Sequence, residues 1–265
     1  MTQRNQFLML SLSMLFMMTG CSKTNPHPND PLEGLNREIY GFNRALDKGV
    51  LRPVAYAYYK YTPKITQAGV HNFFGNLDAV PTVANDLLQY KVAYAAHDAS
   101  RFLINSTLGL GGFLDVAQEL GLEKRSEDFG QTLYHWGVEE SPYLVLPIIG
   151  PTTIRDAAGI AVDTAFTPYA YIESDEWRYG FRAMELLDIR ANLLRNENVL
   201  EAVGVDEYAF VRNAYLQRRT FSAYDGLVPF EKQDVDPFSE DEWLDEDEDS
   251  KPEKTSVKEK PVSKG

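Results

Sequence analysis

The stretch from Leu32 to Val50, LEGLNREIYGFNRALDKGV, sets the fold class. Leu35, Ile39, Phe42 and Leu46 recur at spacings of four, three and four, while Glu33, Arg37, Arg44, Asp47 and Lys48 take the other face. That period predicts an amphipathic helix. Its apolar stripe suits either a helix packed on a core or one lying in a bilayer interface.

Upstream, Arg4 precedes an apolar run from Phe7 to Met18, followed by Thr19, Gly20 and Cys21. About a dozen apolar residues are too few to span hydrocarbon, where about twenty are needed, so residues 1–20 read as a removable signal segment. Cys21 is the single cysteine of the chain, which excludes an intrachain disulfide. Met18-Thr19-Gly20-Cys21 resembles a bacterial lipobox, with Met18 in place of the usual Leu; cleavage before Cys21 would leave it acylated. Ser22 is not the Asp that holds such proteins at the inner membrane, so the periplasmic face of the outer membrane is expected. Residues 21–31, with three prolines from Pro26 onward, form a tether.

The 265 residues are 44% hydrophobic with a net charge of −13, and much of that charge is local. Between Glu231 and Asp249 eleven acidic residues stand against Lys232 alone. A segment of this composition buries too little apolar surface to order itself, so residues 231–265 are expected to be a disordered acidic tail. Residues 32–230 then form the body. The body has no basic stripe, which argues against nucleic-acid binding.

The body reads as mainly α. Further helices are predicted from Pro53 to Tyr61, Ile65 to Phe74, Val80 to Tyr90 and Val92 to Thr107, with a short one over Leu114 to Leu120 stopped by Gly121. Gly109-Leu110-Gly111-Gly112 lacks the third glycine and the preceding strand of a dinucleotide fingerprint, so it is read as a helix connection. Gln131 to Trp136 and Tyr143 to Ile149 look like two extended runs flanking Gly137 to Pro142, a hairpin pattern. Pro147 and Pro151 forbid a central strand. This excursion either caps a core or reaches lipid or lines a cavity, with Gly130 and Gly137 as hinges. Thr153 and Asp156 resemble a capping box opening a helix that ends near Pro168. Ser174 caps a helix from Asp175 to Val203 ended by Gly204, and the last helix spans Asp206 to Phe221.

No residue pattern supports catalysis. His27, His71, His97 and His135 are scattered, no G-x-S-x-G elbow occurs, and no metal-ligand spacing or cofactor fingerprint is found. The chain is therefore not expected to be an enzyme or to hold a metal or cofactor.

Several blocks together carry a resemblance: Asp30-Pro31-Leu32-Glu33-Gly34-Leu35-Asn36-Arg37, Asn43, Arg52-Pro53-Val54-Ala55, Asn72-Phe73-Phe74-Gly75-Asn76-Leu77, and Phe102 through Gly109. Gly111 to Asp115, Phe129-Gly130-Gln131-Thr132-Leu133, Tyr143 with Leu146-Pro147, Arg155-Asp156, Arg190-Ala191, Ala214-Tyr215 and Gln217-Arg218 extend it. In this order they resemble the MlaA/VacJ lipoprotein family over Asp30 to Arg219. The resemblance implies a ring-like bundle of amphipathic helices in the inner leaflet of the outer membrane, pierced by a channel. The implied task is intermembrane phospholipid transport: removing mislocalised phospholipid from the outer leaflet and passing it to a soluble periplasmic lipid carrier, in association with a trimeric porin. The other reading is a structural envelope lipoprotein without transport. Within the transport reading, Cys21 is the lipid anchor and Leu35, Ile39, Phe42 and Leu46 form the membrane-interface helix. Phe129 to Ile149 gates or lines the channel, with Gly130, Gly137, Tyr143 and Leu146 as its expected residues. The family loop is richer in glycine than this one, which carries Glu139, Glu140 and Ser141.

Overall fold

The computed structural model describes residues 27–194 and 206–229. Cys21, the signal segment, Gly204 and the acidic tail lie outside the described residues. Helix dominates, as expected. Residues Glu33–Leu46 form α1, which passes without a break through a π-helical turn, Asp47–Leu51, into α2, Arg52–Tyr61. Pro53 does not interrupt this run, because it stands in the first turn of α2, where its missing N–H is no loss. Then come α3 (Lys64–Leu77), α4 (Ala79–Leu88), α5 (Val92–Thr107) and the short α6 (Val116–Glu119). After α7 (Phe129–His135) a two-stranded antiparallel sheet follows, β1 (Tyr143–Leu146) with β2 (Gly150–Thr153), and then α8 (Ile154–Phe166). The described chain closes with α9 (Asp175–Leu193) and α10 (Glu207–Ala223).

Side-chain caps fix most of the later helix starts. Thr153 accepts from the Asp156 N–H at 3.1 Å, as the capping pattern predicted, and Asp128 accepts from the Gln131 N–H at 2.9 Å. The second cap explains a correction. Gln131 to Trp136 was expected to be extended, but Asp128 satisfies the first free N–H groups of a helix there, and the run becomes α7. The hairpin lies later, with Tyr143 opposite Thr153 and Val145 opposite Pro151. Pro151 is tolerated because a two-stranded sheet has only edges.

Two asparagines seat that hairpin on α1. Asn36 donates to Asp30 at 2.7 Å and to the Tyr143 carbonyl at 3.2 Å, and it accepts from the Val145 N–H at 2.9 Å. Seven residues on, Asn43 donates to the Leu146 carbonyl and accepts from the Ile148 N–H, both at 2.8 Å. Two turns of helix thus match one strand and its turn. Ile148, a β-branched residue, is held at φ 68°, in the left-handed region such residues avoid. The last helix closes on the same place: the Tyr208 hydroxyl donates to Asp30 at 2.5 Å, and Tyr143, Val145 and Tyr208 form a small core.

That core is the exception. The described residues bury only nine apolar side chains, four of them Ala, on α2, α5, α6 and α9, against twenty-three polar or charged ones. Large apolar side chains stand outside instead, Tyr90 at 84% and Tyr61 at 77% exposure among them. A water-soluble helical domain has the opposite arrangement.

Candidate functional site

The buried polar groups lie in stripes at helical spacing. On α4 and its C-cap these are Thr82, Asn85, Asp86 and Gln89; on α5, Asp98, Arg101 and Asn105; on α9, Glu185 and Asp188. Helices that turn such faces toward one another must satisfy them with one another. Asn85 donates to Asp163 of α8 at 2.7 Å and accepts from Thr132 of α7 at 2.8 Å, tying three helices with one amide. Arg101 grips Asp115 through two contacts of 3.0 and 3.1 Å.

Between α3, α4, α5 and α10 these stripes surround a cavity of about 730 Å³, lined among others by His71, Asn76, Asp98, Arg101, Lys124 and Arg218. A second cavity of about 610 Å³ lies on the other side of α10, lined by Tyr134, Glu140, Arg155, Leu216 and Arg219. On the lining of the second cavity Arg219 meets Asp128 at 2.5 and 2.9 Å and Asp156 at 2.8 Å, and the Tyr215 hydroxyl donates to Asp156 at 2.8 Å. Burial alone would raise the Asp128 carboxyl, but the hydrogen bonds and charge of Arg219 hold it below the usual carboxylate range. Beside the first cavity, burial pushes Asp86 up to about 7, and the neighbouring Asp98 and Glu127 add to the rise. Neither oxygen of Asp86 has a hydrogen-bond partner.

The expected site residues separate into different roles. Ile39 packs on the Tyr143, Val145 and Tyr208 core, Leu35 and Leu46 are half-buried, and Phe42 alone of the four is well exposed, at 55%. The four therefore differ in exposure, and part of the face of α1 that carries them packs on the hairpin. Tyr143 is fully buried and lines neither cavity; burial raises its hydroxyl pKa. Leu146 is half-buried, its carbonyl held by Asn43. Gly130 sits inside α7, where a side chain would strike Asp156 and Arg219, and α8 crosses so close that a Cβ on Gly159 would lie 2.6 Å from the Gly130 nitrogen. It is a packing glycine and no hinge. Gly137 is different: it has φ 101°, open space around it, and an exposed position after α7.

Among the described residues no helix is long and apolar enough to cross a membrane, and no group of three or more acidic, His or Cys side chains could hold a metal ion. Many large apolar side chains nonetheless stand outside, and most buried side chains are polar. The family model described as MlaA lipoprotein matches residues 28–222, which takes in almost the whole described body. The chain belongs to the MlaA lipoprotein family. Among its MlaA relatives, the Escherichia coli K12 protein named "Intermembrane phospholipid transport system lipoprotein MlaA" is 36% identical over 233 residues, 85% of this chain and 92% of that one. The Haemophilus influenzae protein of the same name is 32% identical over 242 residues, covering 88% and 96%. A solved structure described as "Structural basis for maintenance of bacterial outer membrane lipid asymmetry" superposes with a TM-score of 0.66 at 36% identity, covering 73% of this chain and 98% of that one. The mainly α architecture expected from the sequence is the MlaA architecture.

An apolar period does not mark Asn36, Asn43, Arg219 or the polar stripes. The signal was present in the spacing of Asp98, Arg101 and Asn105, three and then four apart, as for an apolar stripe.

Proposed function

We propose that this MlaA-family protein is an outer-membrane lipoprotein, anchored through acylated Cys21 at the periplasmic face, that gives phospholipid a sheltered route out of the outer leaflet. The lipid would pass to a soluble periplasmic carrier, with a trimeric porin holding the protein at the right depth, and lipid asymmetry would be maintained. The observation that carries this reading is the reversed distribution of polarity: apolar side chains outside, charged and amide side chains around cavities of about 730 and 610 Å³. Exposing two acyl chains of roughly thirty methylenes to water costs on the order of 20 kcal/mol, at about 0.8 kcal/mol each. A lipid therefore leaves a bilayer readily only where apolar surface accompanies its tails and polar surface its head. Such transfer needs no bond made or broken, and the relatives are named for transport. Gly137 is the expected hinge kept in this reading: it is left-handed with open space where a side chain would stand, and its N–H is held by the Tyr134 carbonyl at 2.9 Å.

The test is a deletion strain complemented with the full chain. Surface-exposed phospholipid should rise on deletion and return to normal on complementation, and the purified protein should carry phospholipid detectable by mass spectrometry. An unchanged outer leaflet, with a porin recovered alongside lipid-free protein, would instead assign the chain a structural envelope role.

A further inference from the structure

The larger cavity has a charge pattern of its own. Arg101 is neutralised by Asp115 at 3.0 Å, and Arg125 lies 3.5 Å from Glu127 and 3.7 Å from Asp98. Four other charged side chains on its lining, Lys124 and Arg218, Asp78 and Glu119, make no ion pair or side-chain hydrogen bond among the described residues. Two are cationic and two anionic, so their sum is zero, and Asp78 feels the charge of Lys124 without forming an ion pair with it. The Lys124 ammonium lies directly over Gly75, where any side chain would displace it, so the backbone of α3 makes room for this charge. One acceptor on the same lining also lacks a donor. Asn76, 5% exposed, leaves Oδ1 without a partner, whereas Asp98 Oδ2 already faces the Arg125 guanidinium at 3.7 Å. A buried acceptor left unpaired is costly, and a ligand that brings N–H groups relieves it.

We infer that this cavity reads the phospholipid headgroup as a dipole, with Lys124 and Arg218 on the phosphate and Asp78, Glu119 and the unpaired Asn76 Oδ1 on a primary ammonium. The preferred cargo is then a zwitterionic lipid bearing an amine, the chemistry of a phosphoethanolamine headgroup. A net-anionic glycerol headgroup satisfies only the cationic half. A choline headgroup is zwitterionic but brings no N–H donor. The inference rests on the transport reading and adds a selectivity to it.

The full chain, purified in detergent, is offered equimolar mixtures of phosphatidylethanolamine, phosphatidylcholine and phosphatidylglycerol, and the bound lipid is counted by native mass spectrometry. Phosphatidylethanolamine should exceed each competitor about threefold or more, the size of one or two solvent-screened ion pairs. D78N/E119Q, which leaves the free lining cationic, should reverse the order toward phosphatidylglycerol. K124Q/R218Q should lower total occupancy, with phosphatidylglycerol lost most. Equal occupancy of the wild-type protein by the three lipids overturns the inference and leaves transport standing. So does an unchanged lipid ratio in folded D78N/E119Q. Absence of any bound phospholipid, together with intact asymmetry in the deletion strain, overturns the transport reading as well. The wild-type competition is decisive even if a variant fails to fold.

Discussion

Single residues in this chain take on duties that their types rarely have in an aqueous protein. Asp86 is fully buried with no partner for either oxygen, and burial together with Asp98 and Glu127 raises its pKa from 3.8 to about 7. The folded state therefore binds a proton that the unfolded chain releases near pH 4. Its contribution to stability is complete below that pH and is lost as pH rises through about 7. Asp86→Asn keeps the shape without the charge. It should be neutral at pH 4 and raise stability by about 2 to 4 kcal/mol at pH 8, read as a melting temperature that falls less between the two pH values than that of the wild type. Gly130 makes a second case. Gly130→Ala drives a methyl group into the Asp128, Arg219 and Asp156 network and should lower stability by about 1 to 3 kcal/mol, measured by thermal unfolding. Gly137→Ala meets only the backbone preference, about 1 kcal/mol, so a change in lipid flux without loss of fold is expected there. Both glycines were read from the sequence as hinges. A glycine required by φ and one required by close approach look alike until the neighbours are known.

At the scale of elements, most helices were legible because their capping chemistry is local. Thr153 and Ser174 announce α8 and α9, and the limits of α5 follow from its period. What was not legible depends on partners distant in the chain. The hairpin shifted by a full run because Asp128 starts a helix, and its seat on α1 is made by Asn36 and Asn43, polar residues absent from any apolar pattern. The unbroken path from α1 to α2 includes a π-helical turn at Asp47, where Arg190 of α9 binds both carboxylate oxygens at 2.6 and 2.9 Å. A widened turn of this kind is common at functional places and is not visible in composition. The asparagine clamp yields a measurable expectation. Asn43→Ala removes the partners of the Leu146 carbonyl and the Ile148 N–H, so amide exchange at Ile148 and Ile149 should accelerate about tenfold, for about 1.4 kcal/mol. Exchange in α8 should stay unchanged; a uniform acceleration would show that the clamp supports the whole fold and not the turn alone.

The molecule as a whole is organised by where its polar atoms go. Helical content followed from the sequence, and the family could be recognised from its blocks, but the reversal of inside and outside could not, since a stripe of leucines does not say whether it meets protein or lipid. With Tyr61, Tyr90 and many other apolar side chains facing outward, the folded body should adhere to bilayers even without its anchor. Cys21→Ser is accordingly expected to leave the protein bound to vesicles in a flotation assay at low salt and to make that binding reversible, where the acylated form is retained through repeated washing. Recovery of the variant in the unbound fraction would mean that the exposed apolar surface is covered by something other than lipid. The same reversal bears on how the chain tolerates change. In an aqueous enzyme, random replacement is punished mainly where a polar group enters the middle; here a methyl placed among Asn85, Asp98 and Arg101 should be the harsher insult, and a new carboxylate at Ile65 or Leu110 the next. Sequence divergence in such a protein should accordingly keep amides and charges fixed in its middle while leucine, valine and tyrosine trade places freely around its circumference.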